Sequence, residues 1–358
     1  MDFSLFYFAD DANIGQDRYR LLLEGARFAD EHEFTAVWTP ERHFDSFGGA
    51  YPNPAVAGAA VAAVTTKVGI RAGSVVAPLH PAVRIAEDWS VVDNISGGRA
   101  GVAFASGWHT ADFAIRPEAY PDRRRLMAET IETVRRLWRL DTVELVDGAN
   151  NPVQVRIFPP PVQPDLPMWL STAGNIDSFR TAGRLGVGVL TTMIGHSLAQ
   201  LSTKIAAYRR SFAAGHGHDG GHVVVMAHTF LGSGRAEVRE IVRAPFTEYL
   251  RKSASLVLRG AGEVLPGVHA DELEPADLEF LVTRAFDRFF DTSGLFGTVA
   301  DGVGTLAGLS AAGVDEVACL IDFVGDTDIV LSSLDYLDQL RMAWRLRSTA
   351  ESTAVGGR

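Results

Sequence analysis

Residues 39–44 read T-P-E-R-H-F and place a carboxylate, a guanidinium and an imidazole (Glu41, Arg42, His43) side by side after the apolar run F-T-A-V-W. An unperturbed imidazole titrates near pH ~6.5 and can exchange protons with a substrate at neutral pH. Glu41 can orient His43, or it can hold Arg42 in a purely structural ion pair, and the six residues alone leave both open. A second stretch, S-T-A-G-N-I-D-S-F at 171–179, carries hydroxyls at Ser171 and Thr172 and a glycine, Gly174, just before a helix start. Free N–H groups there suit an anion such as phosphate; the plainer alternative is a helix cap by Asn175. In S-G-W-H-T-A-D-F (106–113) Trp108 and His109 stand beside a glycine, either as site residues or as a core tryptophan with a solvent histidine. Gly73, inside the strand-like R-A-G-S-V-V, marks a place where a ligand could approach the backbone. The segment H-G-H-D-G-G-H (216–222) suggests metal at first sight, but it is a glycine-rich loop with nothing nearby to complete a coordination shell, so no metal is expected. The charged run 235–252 reads as a solvated helix face.

These groups need elements to position them, and the chain alternates short apolar runs with longer amphipathic ones. Strands are predicted at 3–8, 34–39, 68–77, 99–106, 167–172, 186–192, 222–231 and 315–322, each followed by a helical stretch. Eight βα units in 358 residues predict a parallel (β/α)₈ TIM barrel. The rival, a doubly wound open sheet, usually carries a glycine-rich phosphate turn after its first strand. The turn here, A-D-D-A-N-I-G at 9–15, has no G-x-G-x-x-G, and neither G-x-x-x-x-G-K-[ST] nor G-x-S-x-G occurs. Two insertions interrupt the rhythm. One, at about 141–167 after strand 4, is a predicted hairpin turning at D-G-A-N-N with a proline-rich exit. The other, at about 253–297 after strand 7, is a candidate lid. A single barrel domain over 1–347 with a flexible tail from 348 to 358 is the expected organisation. Active sites of such barrels lie at the C-terminal strand ends, where His43, His80, His109, His196 and His228 fall, half of the ten histidines.

Composition narrows the function. The net charge, 33 − 44 = −11, disfavours a nucleic-acid partner. Cys319, alone of its type, lies in an apolar run and reads as a core thiol, which excludes a disulfide framework. The start M-D-F-S-L-F-Y-F-A-D-D is a strand rather than a signal peptide, and no apolar run reaches the roughly 18 residues of a membrane span, so a cytoplasmic protein is expected.

Four blocks, 34–44, 80–108, 173–195 and 312–323, resemble in order those of the bacterial luciferase-like flavin monooxygenases, a likeness running from residue 1 to about 345. Residues 106–113, 173–175 and 191–197 are most similar to the subgroup that accompanies nonribosomal-peptide and polyketide biosynthesis. The resemblance implies a (β/α)₈ barrel, usually a homodimer, that works without metal. It binds reduced FMN (FMNH₂) supplied by a flavin reductase. Oxygen then forms a flavin peroxide that oxidises a small organic or carrier-protein-bound intermediate. Position by position, His43 falls on the second histidine of the luciferase pair and Arg42 on the first, a departure that argues against light emission and leaves His43 or His109 to manage protons. Gly73 and Ser74 match the strand whose backbone, often a non-proline cis peptide, supports the flavin ring. Ala105 and Ser106 match a fourth-strand contact, Tyr120 a phosphate contact, and Ser171, Gly174 and Asn175 the phosphate turn. Phe6, Phe8, Phe44, Phe47, Trp108 and Phe113 are the aromatics expected to exclude water. The same barrel family also holds deazaflavin (F420) hydride-transfer enzymes, one alternative; a non-catalytic flavin-binding or docking protein is the other.

Overall fold

A computed structural model describes residues 1–8, 17–253 and 275–356. Its strands are β1 (Asp2–Phe6), β2 (Ala36–Thr39), β3 (Gly69–Val76), β4 (Ala100–Ala105), β5 (Val143–Val146), β6 (Pro152–Val155), β7 (Met168–Ser171), β8 (Gly188–Thr192), β9 (Val223–Leu231), β10 (Leu295–Gly297) and β11 (Glu316–Leu320). The helices are α1 (Arg20–Glu31), α2 (Pro54–Val64), α3 (Ala82–Ser96), α4 (Arg123–Trp138), α5 (Ile176–Leu185), α6 (Leu198–His216), α7 (Arg235–Lys252), α8 (Pro275–Thr292), α9 (Val299–Ala311) and α10 (Thr327–Gly356).

The strands β1-β2-β3-β4-β7-β8-β9-β11 pair in parallel, and β11 returns to β1 (Phe3 opposite Val317), so the sheet closes into the eight-stranded barrel. Its strands are buried on both faces and therefore read as nearly continuous apolar runs. Local signals set the helix starts. Asn53 caps α2 ahead of Pro54, Asn175 caps α5, and Ser197 with Gln200 forms a capping box on α6. The hairpin expected in the first insertion is β5 paired antiparallel with β6.

Polar groups fill the N-terminal end of the barrel. Arg71 of β3 donates to both carboxylate oxygens of the fully buried Glu316 (3.0 and 2.8 Å), and its guanidinium lies against the edge-to-face pair of Trp38 and Trp169, 4.9 and 4.7 Å from their centroids. Ser4 adds a hydroxyl donor to Glu316 at 2.6 Å. Every charge in this floor is paired, as burial requires.

Two differences from the sequence reading stand out. β10, only three residues long, extends the sheet beside the upper end of β9 (Leu295 opposite Thr229) and is too short to register as an apolar run. α10 continues to Gly356 instead of ending at 347, because 348–355 contains no helix breaker; the expected flexible tail is helical backbone for most of its length. The turn after β1 (9–16) and the centre of the second insertion (254–274) lie outside the described residues. No described helix is long and apolar enough to cross a membrane.

Candidate active site

A cavity of about 610 Å³ opens at the C-terminal strand ends. All eight residues expected to contact a cofactor line it: Gly73, Ser74, Ala105, Ser106, Tyr120, Ser171, Gly174 and Asn175. The Gly73–Ser74 peptide is cis, and the β3–β4 register slips between Gly73 and Val75. A Cβ on Gly73 would meet the Phe6 ring at 2.5 Å, so only glycine lets β3 pass this close.

One end of the cavity is basic. Arg123, Arg124 and Lys204 line it with the start of α5. Gly174 has φ +106°, and the His196 ring packs so tightly on it that a Cβ there would lie 1.8 Å from Cε1. Lys204 Nζ stands 3.2 Å from His196 Nδ1. An ammonium can only donate, so Nδ1 accepts and the ring proton sits on Nε2. That Nε2–H is buried and has no partner among the described residues. Burial first, then the Lys204 charge, pushes the His196 pKa down to about 4, so the ring is neutral at pH 7. An unpaired buried donor beside three cationic side chains and a helix N-terminus fits an anion. Arg123 also donates to the Tyr120 carbonyl and lies over the Tyr120 ring at 4.2 Å, which ties that tyrosine to this end.

The other end is acidic and aromatic. Glu41 lines the cavity with only 1% of its side chain exposed. Its Oε1 accepts from His43 Nε2 (2.8 Å) and His80 Nε2 (2.5 Å), and its Oε2 from the Val76 amide (2.7 Å). Burial would raise the Glu41 pKa, but the bonds from His43, His80 and Val76, with the His80 charge, pull it below the usual carboxylate value. Burial would lower His80, yet the bond and charge of Glu41, joined by Asp88, raise it. The ligand-type atoms of the three residues lie within 4.8 Å of one another. At 2.8 and 2.5 Å, both imidazole nitrogens share protons with Glu41 Oε1.

The ion pair considered between Glu41 and Arg42 is not formed. Arg42 donates instead to both oxygens of buried Asp112 (3.1 and 3.0 Å), to Asp45 (2.8 Å) and to the Phe47 carbonyl (3.3 Å). Alternating side chains explain this: Glu41 faces β3 and its neighbours while Arg42 faces the turn after β4. Arg42 borders the cavity, but its donors are spent on anchoring that turn. His43 and His109, the other expected catalytic groups, are not among the cavity-lining residues. His43 sits behind Glu41, its amide on Asp112 (3.3 Å). His109 packs edge-on against Trp108 with Nε2 4.0 Å from Asp45, and burial together with the Arg42 charge lowers its pKa. Phe6, Phe8, Phe47 and Trp108 line the cavity, joined by Tyr249 and Met226. Phe44 points outward, 70% exposed, and Phe113 is buried against Tyr120 outside the cavity.

Sequence reasoning missed the roles of Arg123, Arg124, Lys204 and Asp112. The signals were present: R-R-R follows Tyr120 closely, and Lys204 comes two turns into a helix that starts just after His196.

Comparison with known proteins bears on the family and the fold. The flavin-dependent trigonelline monooxygenase oxygenase component of Acinetobacter baylyi is 29% identical over 198 residues, 54% of this chain and 54% of that protein, so the match spans about half of the relative's length. Two solved structures share the fold. The oxygenating constituent of 3,6-diketocamphane monooxygenase from Pseudomonas putida, in complex with FMN, has TM-score 0.72 at 14% identity, covering 94% of this chain and 96% of that one. An F420-dependent secondary alcohol dehydrogenase has TM-score 0.68 at 17% identity, covering 96% and 99%. The family model described as luciferase-like monooxygenase matches residues 1–316, nearly the whole barrel, and the chain belongs to that family.

Proposed function

We propose that the protein is an FMNH₂-dependent monooxygenase acting on a small, largely apolar organic molecule, free or tethered to a carrier protein in natural-product assembly. The observation that carries this reading is the His196 Nε2–H, without a partner among the described residues, at the basic end of a cavity whose far end is aromatic and holds a buried carboxylate. The residues fit FMN. His196, Ser171, Asn175, Lys204 and the Arg123–Arg124 pair would hold its phosphate. The glycine-bared edge of β3 at Gly73–Ser74, with Ala105 and Ser106, would border its ring.

When bound and reduced, FMN supplies the electrons that activate oxygen. The chain's own residues do the rest. Phe6, Phe8, Phe47, Trp108 and Tyr249 keep water from the reacting end. Glu41 is the group there able to hold or pass a proton. Arg42 fixes the wall through Asp112. A homodimer in the cytoplasm, served by a separate flavin reductase, completes the proposal. The second reading, F420-dependent hydride transfer, has the shared fold of the alcohol dehydrogenase in its favour.

Anaerobic titration with photoreduced FMN, and separately with F420, followed by mixing with air-saturated buffer, tests both. One-site FMNH₂ binding, with oxidation kinetics distinct from those of free flavin, supports the oxygenase. Tight F420 binding without oxygen uptake, alongside FMNH₂ that reoxidises as fast as in free solution, overturns it.

A further inference from the structure

We propose that His80 and Glu41 form a proton relay from solvent to the cavity, with Glu41 as its inner end and His80 as its outer one. Of the three groups sharing protons here, Glu41 alone lines the cavity. Its side chain is 1% exposed, that of His43 12% and that of His80 34%. A gradient of access thus runs outward through His80. Both imidazoles meet Glu41 through Nε2 on one oxygen, which leaves each Nδ1 to take up the replacement proton. In one passage His80 gains a proton from water at Nδ1 and yields the Nε2 proton to Glu41. The carboxyl then delivers it to an oxyanion formed in the cavity. One N–H or O–H bond breaks and one forms at each transfer, and no electrons move.

The surroundings set where the proton rests, on His80 beside an ionised Glu41, from which the relay starts. Glu41 is faced by His43, His80 and the Val76 amide. His80 is faced by Glu41 from the turn after β2 and by Asp88 from α3, both of which favour its charged form. Asp88 is itself paired with Arg84 of the same helix (2.6 Å); of the other cations, Arg42 is engaged by Asp112 and Asp45, and Arg116 by Glu118 and the Pro78 carbonyl. His43, whose amide is pinned by Asp112, is the positioning group: its bond holds the carboxylate between the two rings.

The identity of the proton's final acceptor rests on the oxygenase reading; the coupling of His80 to Glu41 does not. Two measurements separate them. The first is an imidazole ¹⁵N NMR titration of the flavin-free protein, wild type and Glu41→Gln. The second is single-turnover oxidation of bound reduced FMN from pH 6 to 9 in wild type, His80→Gln and His80→Ala. Glu41→Gln is expected to lower the His80 midpoint. His80→Gln is expected to leave FMN affinity within about threefold while slowing the proton-dependent step about 10²-fold and flattening its pH profile. Added imidazole should restore His80→Ala. A purely structural histidine gives neither the flattened profile nor the rescue. An unmoved His80 midpoint in Glu41→Gln, or a wild-type rate and profile in His80→Gln with FMN bound, overturns the relay. If FMN does not bind at all, the functional reading falls, and the titration alone then decides the coupling.

Discussion

Gly174→Ala probes the basic end most sharply. The new Cβ would lie 1.8 Å from His196 Cε1 and 2.3 Å from Nε2, far inside the 3.0 Å that real Cβ contacts respect. Two costs arise. At φ +106° an alanine is strained by about 1–3 kcal/mol. Displacing a buried imidazole adds about 1–3 kcal/mol of overpacking. The second cost depends on His196 and the first does not. In a cycle with His196→Ala the coupling should therefore be about 1–3 kcal/mol in urea unfolding, with the single Gly174→Ala variant the more strained. The same displacement removes the Nε2–H from its aim. A hydrogen bond to a charged phosphate contributes about 1.5–3 kcal/mol, so the FMN dissociation constant should rise roughly 10- to 150-fold. Alanine at 174 should weaken binding little further once His196 is already alanine. Equal destabilisation by Gly174→Ala in both backgrounds, together with unchanged FMN affinity, would refute the reasoning.

Three further outcomes are expected. Arg42→Ala strands the buried Asp112 carboxylate and should cost about 3–5 kcal/mol in urea unfolding, whereas Asp45→Asn, on a half-exposed partner, should cost less than about 1 kcal/mol; equal costs would contradict the assigned roles. Burial holds His228 at a pKa of about 3, below its unfolded value near ~6.5, so the unfolded chain binds the proton first as pH falls. Its contribution to stability is then lost below pH ~6.5 at about 1.4 kcal/mol per pH unit, roughly 2 kcal/mol by pH 5, and His228→Phe should remove that part of the slope; parallel stability-versus-pH curves would disprove it. Lys204→Met should raise the His196 pKa from about 4 by removing a facing charge, seen in ¹⁵N titration, and should weaken FMN binding in parallel.

The barrel was readable because its strands, largely buried, are nearly continuous apolar runs, and because Asn53, Asn175 and Ser197 announce the helices after them. The cavity's backbone-lined parts were also readable, since Gly73, Gly174 and their neighbours carry local signals of close approach. What stayed hidden depends on which way a side chain turns after its strand ends. Of three adjacent polar residues, Glu41 and His43 turn toward each other while Arg42 turns away to Asp112, and the partners His80 and Asp112 are 39 and 70 positions away from Glu41 and Arg42. No spacing rule reaches that far. Lys204 was concealed in another manner: on a helix rich in charge it looks like any solvated lysine until His196 is seen beside it.

The polar floor of the barrel bears on how the chain is made. Arg71 is translated early, and its only carboxylate partner in the described floor, Glu316, lies 245 residues later. Until β11 emerges, a compact sheet would enclose a guanidinium with no counter-charge, a state costing several kcal/mol. Premature closure around β3 is thereby penalised. In the folded barrel β11 lies between β9 and β1 and carries Glu316 to Arg71, so closing the sheet and neutralising Arg71 depend on the same strand.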